Sequence, residues 1–146
     1  MCIRDRYCLC LIDSHTRYPF AYPLRSATAK TVCQCLIDVF AQAGVPSQIT
    51  SDQGTSFTAE ITTKFLEIFG CSPIWSTPLH PEGNFLVERL NQIFKKTLAH
   101  VCKLQPRQWH KFVPLVLWSI REARNQTLGT SPVSYTHLTL PTKRIV

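Results

Sequence analysis

The sequence lacks any uninterrupted apolar run close to the roughly 20 residues that a helix needs to cross a bilayer. Its first residues also lack an apolar segment followed by a small-residue cleavage site, so nothing there resembles a secretory signal peptide. Hydrophobic residues still make up 45% of the 146 positions, which is enough for one core. We therefore expect one globular domain in an intracellular protein, nuclear or cytoplasmic, with no membrane association.

The cysteine pattern argues against both a disulfide framework and a structural zinc site. Seven cysteines are an odd number, and they lie within apolar runs rather than in loops. Cys8 and Cys10, and likewise Cys33 and Cys35, are separated by one residue, and no histidine pair at zinc-finger spacing accompanies them. We expect reduced, buried thiols.

Charged residues are few, at 17%, but basic side chains outnumber acidic ones by 16 to 9. The formal net charge of +7 favours a polyanionic partner without identifying it.

The two ends of the sequence differ in character from its middle. The opening MCIRDR and the closing SYTHLTLPTKRIV resemble end sequences that recur on unrelated proteins translated from read assemblies, where sequencing adaptor has been read as coding DNA. The alternative is an ordinary disordered terminus. Because the stretch after Pro132 has no amphipathic period, we predict that no helix continues there. The predicted division is a non-native end at 1–6, a domain at 7–133 and a non-native tail at 134–146.

The pattern of apolar residues predicts alternating strands and helices. A hairpin is predicted from 7–13 and 17–24, followed by short strands at 48–51 and 72–75. Helices are predicted at 28–43, 59–69, 85–102 and 109–124, with a loop at 76–84. The inward faces of the first two helices are predicted to include Ile37 and Ile68, respectively. This order predicts a mixed α/β fold with helices packed on a sheet.

Two carboxylates stand at the ends of predicted rigid elements. Asp52 closes a strand and Glu88 lies near the first turn of the long helix, with thirty-five residues (53–87) between them. Taken alone, Asp-Gln-Gly is typical of an Asx turn, and a glutamate at a helix start is favoured by the helix dipole. The spacing alone does not indicate a function, so the sequence around the two residues has to be considered.

That surrounding sequence resembles the integrases of retroviruses and Gypsy-type retrotransposons. Residues 51–57 (SDQGTSF) match the SDxGxxF segment of these enzymes, and 77–91 (TPLHPEGNFLVERLN) match their TPxHP…VERxN segment. An aspartate and a glutamate separated by thirty-five residues are typical of their Asp-Asp-Glu catalytic core. Several motifs in the same order, extending from about residue 7 to 132, carry the resemblance.

The resemblance implies a ribonuclease H-like mixed sheet flanked by helices, here lacking the first strand. It also implies three carboxylates that hold two Mg²⁺ (or Mn²⁺) ions, with no organic cofactor. Such ions prefer carboxylate oxygens, and a pair of them assists the displacement at phosphorus that joins DNA strands. Asp52 and Glu88 carry over as two catalytic residues and metal ligands.

The third carboxylate does not carry over. In the family it lies on a strand that precedes the one at 7–13, and the printed sequence begins after that strand. Asp13 matches a different position, a strand end, where a turn aspartate is the simpler interpretation. Asp5 is too close to Asp13 to leave room for the intervening strands. We therefore expect the polypeptide as printed to be inactive and its intact parent to be active.

The long helix is predicted to present a DNA-binding face. Four residues at or near this face are candidates for DNA contact: Lys95 above all, then Gln92, Lys96 and Asn84. Phe85 departs from the family, which usually has glycine there, and it restricts the backbone where the loop enters the helix.

Three functions stay open at this point. The first is an integrase core of a retroelement polyprotein, which performs 3′-end processing and strand transfer on DNA and is a homodimer or higher oligomer in its parent. The second is a non-catalytic nucleic-acid-binding remnant of a decayed retroelement, favoured by Phe85 and the missing aspartate. The third, another ribonuclease H-like nuclease or transposase, shares the carboxylates but not the motifs around them.

Overall fold

A computed structural model describes residues 2–3, 6–76 and 84–138 of the chain. It divides into two compact units, one of Met1–Leu9 with Tyr22–Glu88 and one of Cys10–Ala21 with Arg89–Val146. No helix in the described part of the chain is both long and apolar enough to cross a membrane.

The described strands form two sheets. Strands β1 (Cys2–Ile3), β2 (Arg6–Ile12) and β3 (Pro19–Leu24) form a sheet in that order, and β1 runs antiparallel to β2. Strands β4 (Gln48–Ser51) and β5 (Ser72–Trp75) pair in parallel, with Ser51 opposite Trp75. Because parallel strands point the same way, β4 and β5 end at the same edge of their sheet.

Three helices of the first unit surround an aromatic cluster. Helix α1 (Ala29–Ala43) packs against α2 (Thr55–Thr58) and α3 (Glu60–Ile68), and α3 also contacts β5. The Phe40 and Phe65 rings stack at 6.1 Å, and Phe69 lies 4.9 Å from Phe65. Helix α1 has clear local signals at both ends: Thr28 forms a capping box with Thr31, and Gly44 follows with φ +89°.

The second unit contains α5 (Trp109–Glu122), α6 (Pro132–Leu138) and most of α4 (Phe85–Val101), with a 3₁₀ turn at Pro106–Gln108. Leu90, Phe94 and Leu98 form the buried stripe of α4. From α5, Arg121 donates two hydrogen bonds to the Pro19 carbonyl and lies 4.3 Å above the Tyr18 ring. The cation over the aromatic face and the two hydrogen bonds tie α5 to the start of β3.

The structure confirms the mixed α/β class and corrects several details. Ile68 is 82% exposed, because it lies two residues from the buried Leu66 and so points to the other side of α3. Ile37 is 48% exposed at the edge of the buried stripe of α1. The helix predicted at 59–69 is α3, at Glu60–Ile68, and the short helix α2 precedes it; extended backbone at Ala59, where ψ is 142°, separates the two. The thiols of Cys33, Cys35, Cys71 and Cys102 are free and buried, as expected.

The prediction that no helix follows Pro132 is wrong, because α6 covers Pro132–Leu138. The Ser131 hydroxyl accepts a hydrogen bond from the Ser134 N–H at 3.2 Å, which caps the helix start. Pro132 stands at the first helical position, where its missing N–H costs nothing. These two local signals outweigh the absence of an amphipathic period. The division at 1–6, 7–133 and 134–146 stays a prediction.

Candidate functional site

Asp52 follows the last residue of β4 and is exposed. Its Oδ1 accepts the Gly54 N–H at 3.2 Å, which makes the Asx turn that the sequence suggests. The backbone of Asp52 is held as well, since the Ser51 hydroxyl donates to the Asp52 carbonyl at 3.0 Å. The turn therefore holds the Asp52 carboxylate against the backbone that directly follows β4.

Gly54 is required by this turn for space rather than for its backbone angles. Its φ of −59° is open to any residue. A Cβ atom there would lie 3.0 Å from Asp52 Oδ1 and 3.5 Å from Phe57 Cδ2. The glycine therefore allows the carboxylate to lie against the backbone that follows it.

Glu88 lies in the first turn of α4 and is also exposed. Its N–H donates to the Asn84 carbonyl at 2.9 Å, so Asn84 begins the hydrogen-bond ladder of this helix. A negative side chain in a first turn is stabilised by the positive end of the helix dipole. Phe85, at the start of α4, is 57% exposed, so its ring is accommodated in solvent.

A series of hydrogen bonds joins the ends of these two elements. Both the N–H and the hydroxyl of Ser76 donate to the Ser51 carbonyl, at 2.9 Å and 3.2 Å. The Asn84 side-chain amide in turn donates to Ser76 Oγ at 2.6 Å. Sequence reasoning missed this connection, although Ser76 directly precedes the TPxHP segment. Residues 77–83, which include that segment, lie outside the described residues.

The structure gives Asp13 a local role. At the end of β2 its carboxylate accepts hydrogen bonds from the N–H groups of His15 and Thr16 and from the Thr16 hydroxyl. Partial burial alone would raise the pKa of Asp13, but these hydrogen bonds and the nearby His15 lower it below its ordinary value. This agrees with the turn interpretation. Asp5 lies outside the described residues.

The predicted DNA-binding residues have different surroundings. Gln92, Lys95 and Lys96 are exposed on α4. Asn84 is half-buried, and its amide is engaged by Ser76 as described above. Across 6–76 and 84–136, no three histidine, cysteine, aspartate or glutamate side chains form a group that could hold a metal ion.

Asn91 is a further residue that sequence reasoning did not single out for a role. Its Oδ1 atom is buried and accepts no hydrogen bond from the described residues. A buried amide oxygen without a donor costs free energy, so such an atom in a native structure calls for an explanation. Asn91 stands one turn after Glu88 on α4, at a spacing that places two side chains on one helix face.

Comparison with known proteins identifies the family. Residues 2–81, which include Asp52 but not Glu88, match the family described as integrase core domain. The chain is 36% identical over 135 residues to the Gag-Pol polyprotein of Walleye dermal sarcoma virus and 29% identical over 118 residues to that of Feline leukemia virus. These matches cover 90% and 80% of the chain but only 8% and 7% of the polyproteins.

Solved structures show the same fold. The catalytic core domain of BIV integrase superposes with a TM-score of 0.78 at 20% identity, over 97% of this chain and 91% of that one. A chain of the simian T-cell lymphotropic virus intasome, solved in complex with the PP2A regulatory subunit B56 gamma, gives a TM-score of 0.80 at 19% identity, over 90% of this chain and 48% of that one. The expected ribonuclease H-like architecture is thereby confirmed. By its matched sequence and its fold, the chain belongs to the family of integrase core domains.

Proposed function

We propose that this domain is the catalytic core of a DNA-integrating enzyme within a retroelement polyprotein, of either retroviral or Gypsy-type origin. Its reactions are 3′-end processing and strand transfer. The observation that carries the proposal is the pair of exposed carboxylates, Asp52 and Glu88, at the end of β4 and in the first turn of α4. Their spacing of thirty-five residues (53–87) agrees with the family pattern, and family membership supports the reaction class.

The two carboxylates fit the metal that this chemistry requires. Both are exposed and offer hard oxygen donors, which Mg²⁺ and Mn²⁺ prefer. Asp52 Oδ1 accepts a hydrogen bond from the Gly54 N–H, which restrains the side-chain rotamer. When bound, a pair of such ions supplies Lewis acidity for an in-line displacement at phosphorus. The contribution of this chain is to hold and orient those ions through Asp52 and Glu88.

Binding of Mn²⁺ tests the metal-binding role, with the signal of the free ion followed by electron paramagnetic resonance. We expect weak binding, because this sequence supplies two carboxylate ligands and the family uses three. Asp52→Asn and Glu88→Gln should each abolish it. Glu67→Gln, which changes an exposed glutamate on α3, is the matched control and should bind as the unchanged chain does. Wild-type binding in both site variants would remove Asp52 and Glu88 from the proposed site.

DNA is the proposed partner, and α4 is the proposed contact surface. Lys95 is assigned to a phosphate, and Gln92, Lys96 and Asn84 are assigned to the strand beside it. Affinity for duplex DNA should fall as salt rises, and Lys95→Ala should reduce that salt slope by about 1. Lys64→Ala is the control, because the Lys64 ammonium already pairs with Glu60 on α3. An affinity independent of salt would contradict phosphate contacts.

The intact parent is proposed to work as a homodimer or higher oligomer in the nucleus or cytoplasm. The similarity in fold to a chain of a viral intasome supports assembly. Sedimentation of the parent protein with and without DNA ends should show the larger species, and a monomer under both conditions would contradict it.

The second candidate is a non-catalytic nucleic-acid-binding remnant of a decayed retroelement. It is favoured because no group of three metal-binding side chains is found in the described ranges 6–76 and 84–136. Recovering about 60 residues of upstream coding sequence from the source locus separates the two candidates, since an aspartate on a hydrophobic strand should be found there only for an enzyme. The polypeptide as printed should show no strand transfer in Mg²⁺ under either candidate.

A further inference from the structure

Two side chains outside the proposed ligand pair connect the elements that carry it. Ser76 follows β5 and bonds twice to the Ser51 carbonyl, one residue before Asp52. Asn84 precedes α4 and binds Ser76 Oγ through its side chain, while its own carbonyl accepts the Glu88 N–H. A continuous series of hydrogen bonds therefore leads from the backbone before Asp52 to the backbone of Glu88.

This series has a fixed direction. A serine hydroxyl has one hydrogen, and that of Ser76 is donated to the Ser51 carbonyl. Ser76 Oγ can then only accept from Asn84, and the 2.6 Å contact is made by the Asn84 amide, which has hydrogens to donate. A residue at 84 without a donor cannot take its place.

The partial burial of both side chains makes these bonds effective. Ser76 and Asn84 are half-buried, so water competes less for their polar groups than it does at Asp52 and Glu88, which are exposed. Through these bonds the first turn of α4 is tied to the end of β4. The bond thus restrains where the Glu88 backbone lies relative to the Asp52 backbone.

We propose that Ser76 and Asn84 are positioning residues that set the separation of the Asp52 and Glu88 carboxylates for divalent cations. They act through the backbone and do not themselves bind the ions. The inference rests on the proposed metal-binding role of the two carboxylates. It predicts that affinity for a cation depends on a hydrogen bond that lies outside its own ligand set, as is common for metal sites.

Mn²⁺ titration of variants of the chain tests this. Ser76→Ala should weaken Mn²⁺ binding by roughly threefold to tenfold, the effect of one net hydrogen bond. Asn84→Leu, which keeps the shape and removes the donor, should weaken it similarly. The double variant should be little worse than either single one, because both remove the same connection. Ser76→Thr keeps the hydroxyl and should restore binding.

Matched controls separate positioning from general damage. Ser72→Ala makes the same change at the exposed other end of β5 and should leave Mn²⁺ affinity unchanged. Thermal unfolding of each variant should shift by no more than about 4 °C, as expected for the loss of one hydrogen bond in a chain of this size. A purely structural role would move the unfolding temperature while leaving the affinity of the folded protein unchanged.

The outcomes distinguish this inference from the function on which it rests. If Asp52→Asn abolishes binding while Ser76→Ala and Asn84→Leu bind as the unchanged chain does, the positioning role is overturned and the metal site stands. Additive losses in the double variant, or an equal loss in Ser72→Ala, would also overturn the positioning role. If Asp52→Asn and Glu88→Gln bind normally, the metal site itself is overturned.

Discussion

Replacing Gly54 with alanine should separate the stability of the chain from its capacity to bind a cation. The new Cβ would lie 3.0 Å from Asp52 Oδ1, closer than carbon and oxygen atoms ordinarily approach. The backbone does not resist alanine, because φ is −59° and ψ is 141°. The cheapest relief is a movement of the flexible Asp52 side chain away from Gly54, which stretches its 3.2 Å hydrogen bond with the Gly54 N–H.

The expected effects on stability nearly cancel. Losing that hydrogen bond costs about 0.5–1.5 kcal/mol, whereas replacing glycine where the backbone tolerates it stabilises by about 0.4–1 kcal/mol through the unfolded chain. The net change in the free energy of unfolding is therefore within about 1 kcal/mol. Mn²⁺ affinity should fall by roughly 10- to 100-fold, the usual cost of removing a group that orients a ligand.

The assay is Mn²⁺ titration beside urea unfolding, with Gly70→Ala as the contrasting variant. Gly70 has φ +69° and open space around its Cβ position, so alanine should cost about 1–2 kcal/mol of stability and leave Mn²⁺ affinity unchanged. If Gly54→Ala binds Mn²⁺ as tightly as the unchanged chain, the orientation of Asp52 does not govern the site and the reasoning fails.

Three further predictions concern stability and ligand use. Asn91→Leu removes a buried oxygen that has no donor among the described residues, so urea unfolding should show equal or greater stability. DNA or Mn²⁺ affinity should fall if a ligand uses that oxygen, and a loss of stability would contradict the reasoning. Thr62→Val deletes the hydroxyl that donates to the Ser56 carbonyl at 2.8 Å, so urea unfolding should report a loss of about 1 kcal/mol. Burial, with some help from Asp38, raises the pKa of Cys35 from 9.0 to about 11. Stability from this thiol is present below pH 9.0 and lost as pH rises towards 11, so Cys35→Ala should flatten the alkaline limb of a stability curve.

The sequence predicted well those helices and strands whose ends are set by capping or turn residues within or next to them. Helix α1 begins at Ala29, after the Thr28 cap, and ends before Gly44, close to the predicted 28–43. The short helix α2, which precedes Ala59, could not be predicted in this way. The Ser56 hydroxyl donates to the Ala27 carbonyl, far away in sequence, and thereby ties α2 to the start of α1. The periodicity of hydrophobic residues does not predict a contact between residues so far apart in sequence.

Parts of the proposed site could likewise be predicted from local sequence, and parts could not. The positions of Asp52 after a strand and Glu88 in a first turn follow from local sequence, and the structure confirms both placements. Their roles as ligands stay a prediction. The bond between Ser76 and Asn84 could not be predicted, because serine and asparagine are both common loop residues and neither identifies its partner.

The Ser51 carbonyl is held twice, by the N–H and the hydroxyl of Ser76. Both lone pairs of that oxygen are occupied, so the peptide plane leading into Asp52 cannot turn over without giving up two bonds. Cation capture at the proposed site would then be left to side-chain rotamer changes, which take picoseconds to nanoseconds. Mg²⁺ sheds its water reluctantly, so the speed of its capture would be set by the hydrated ion and not by any motion of the backbone.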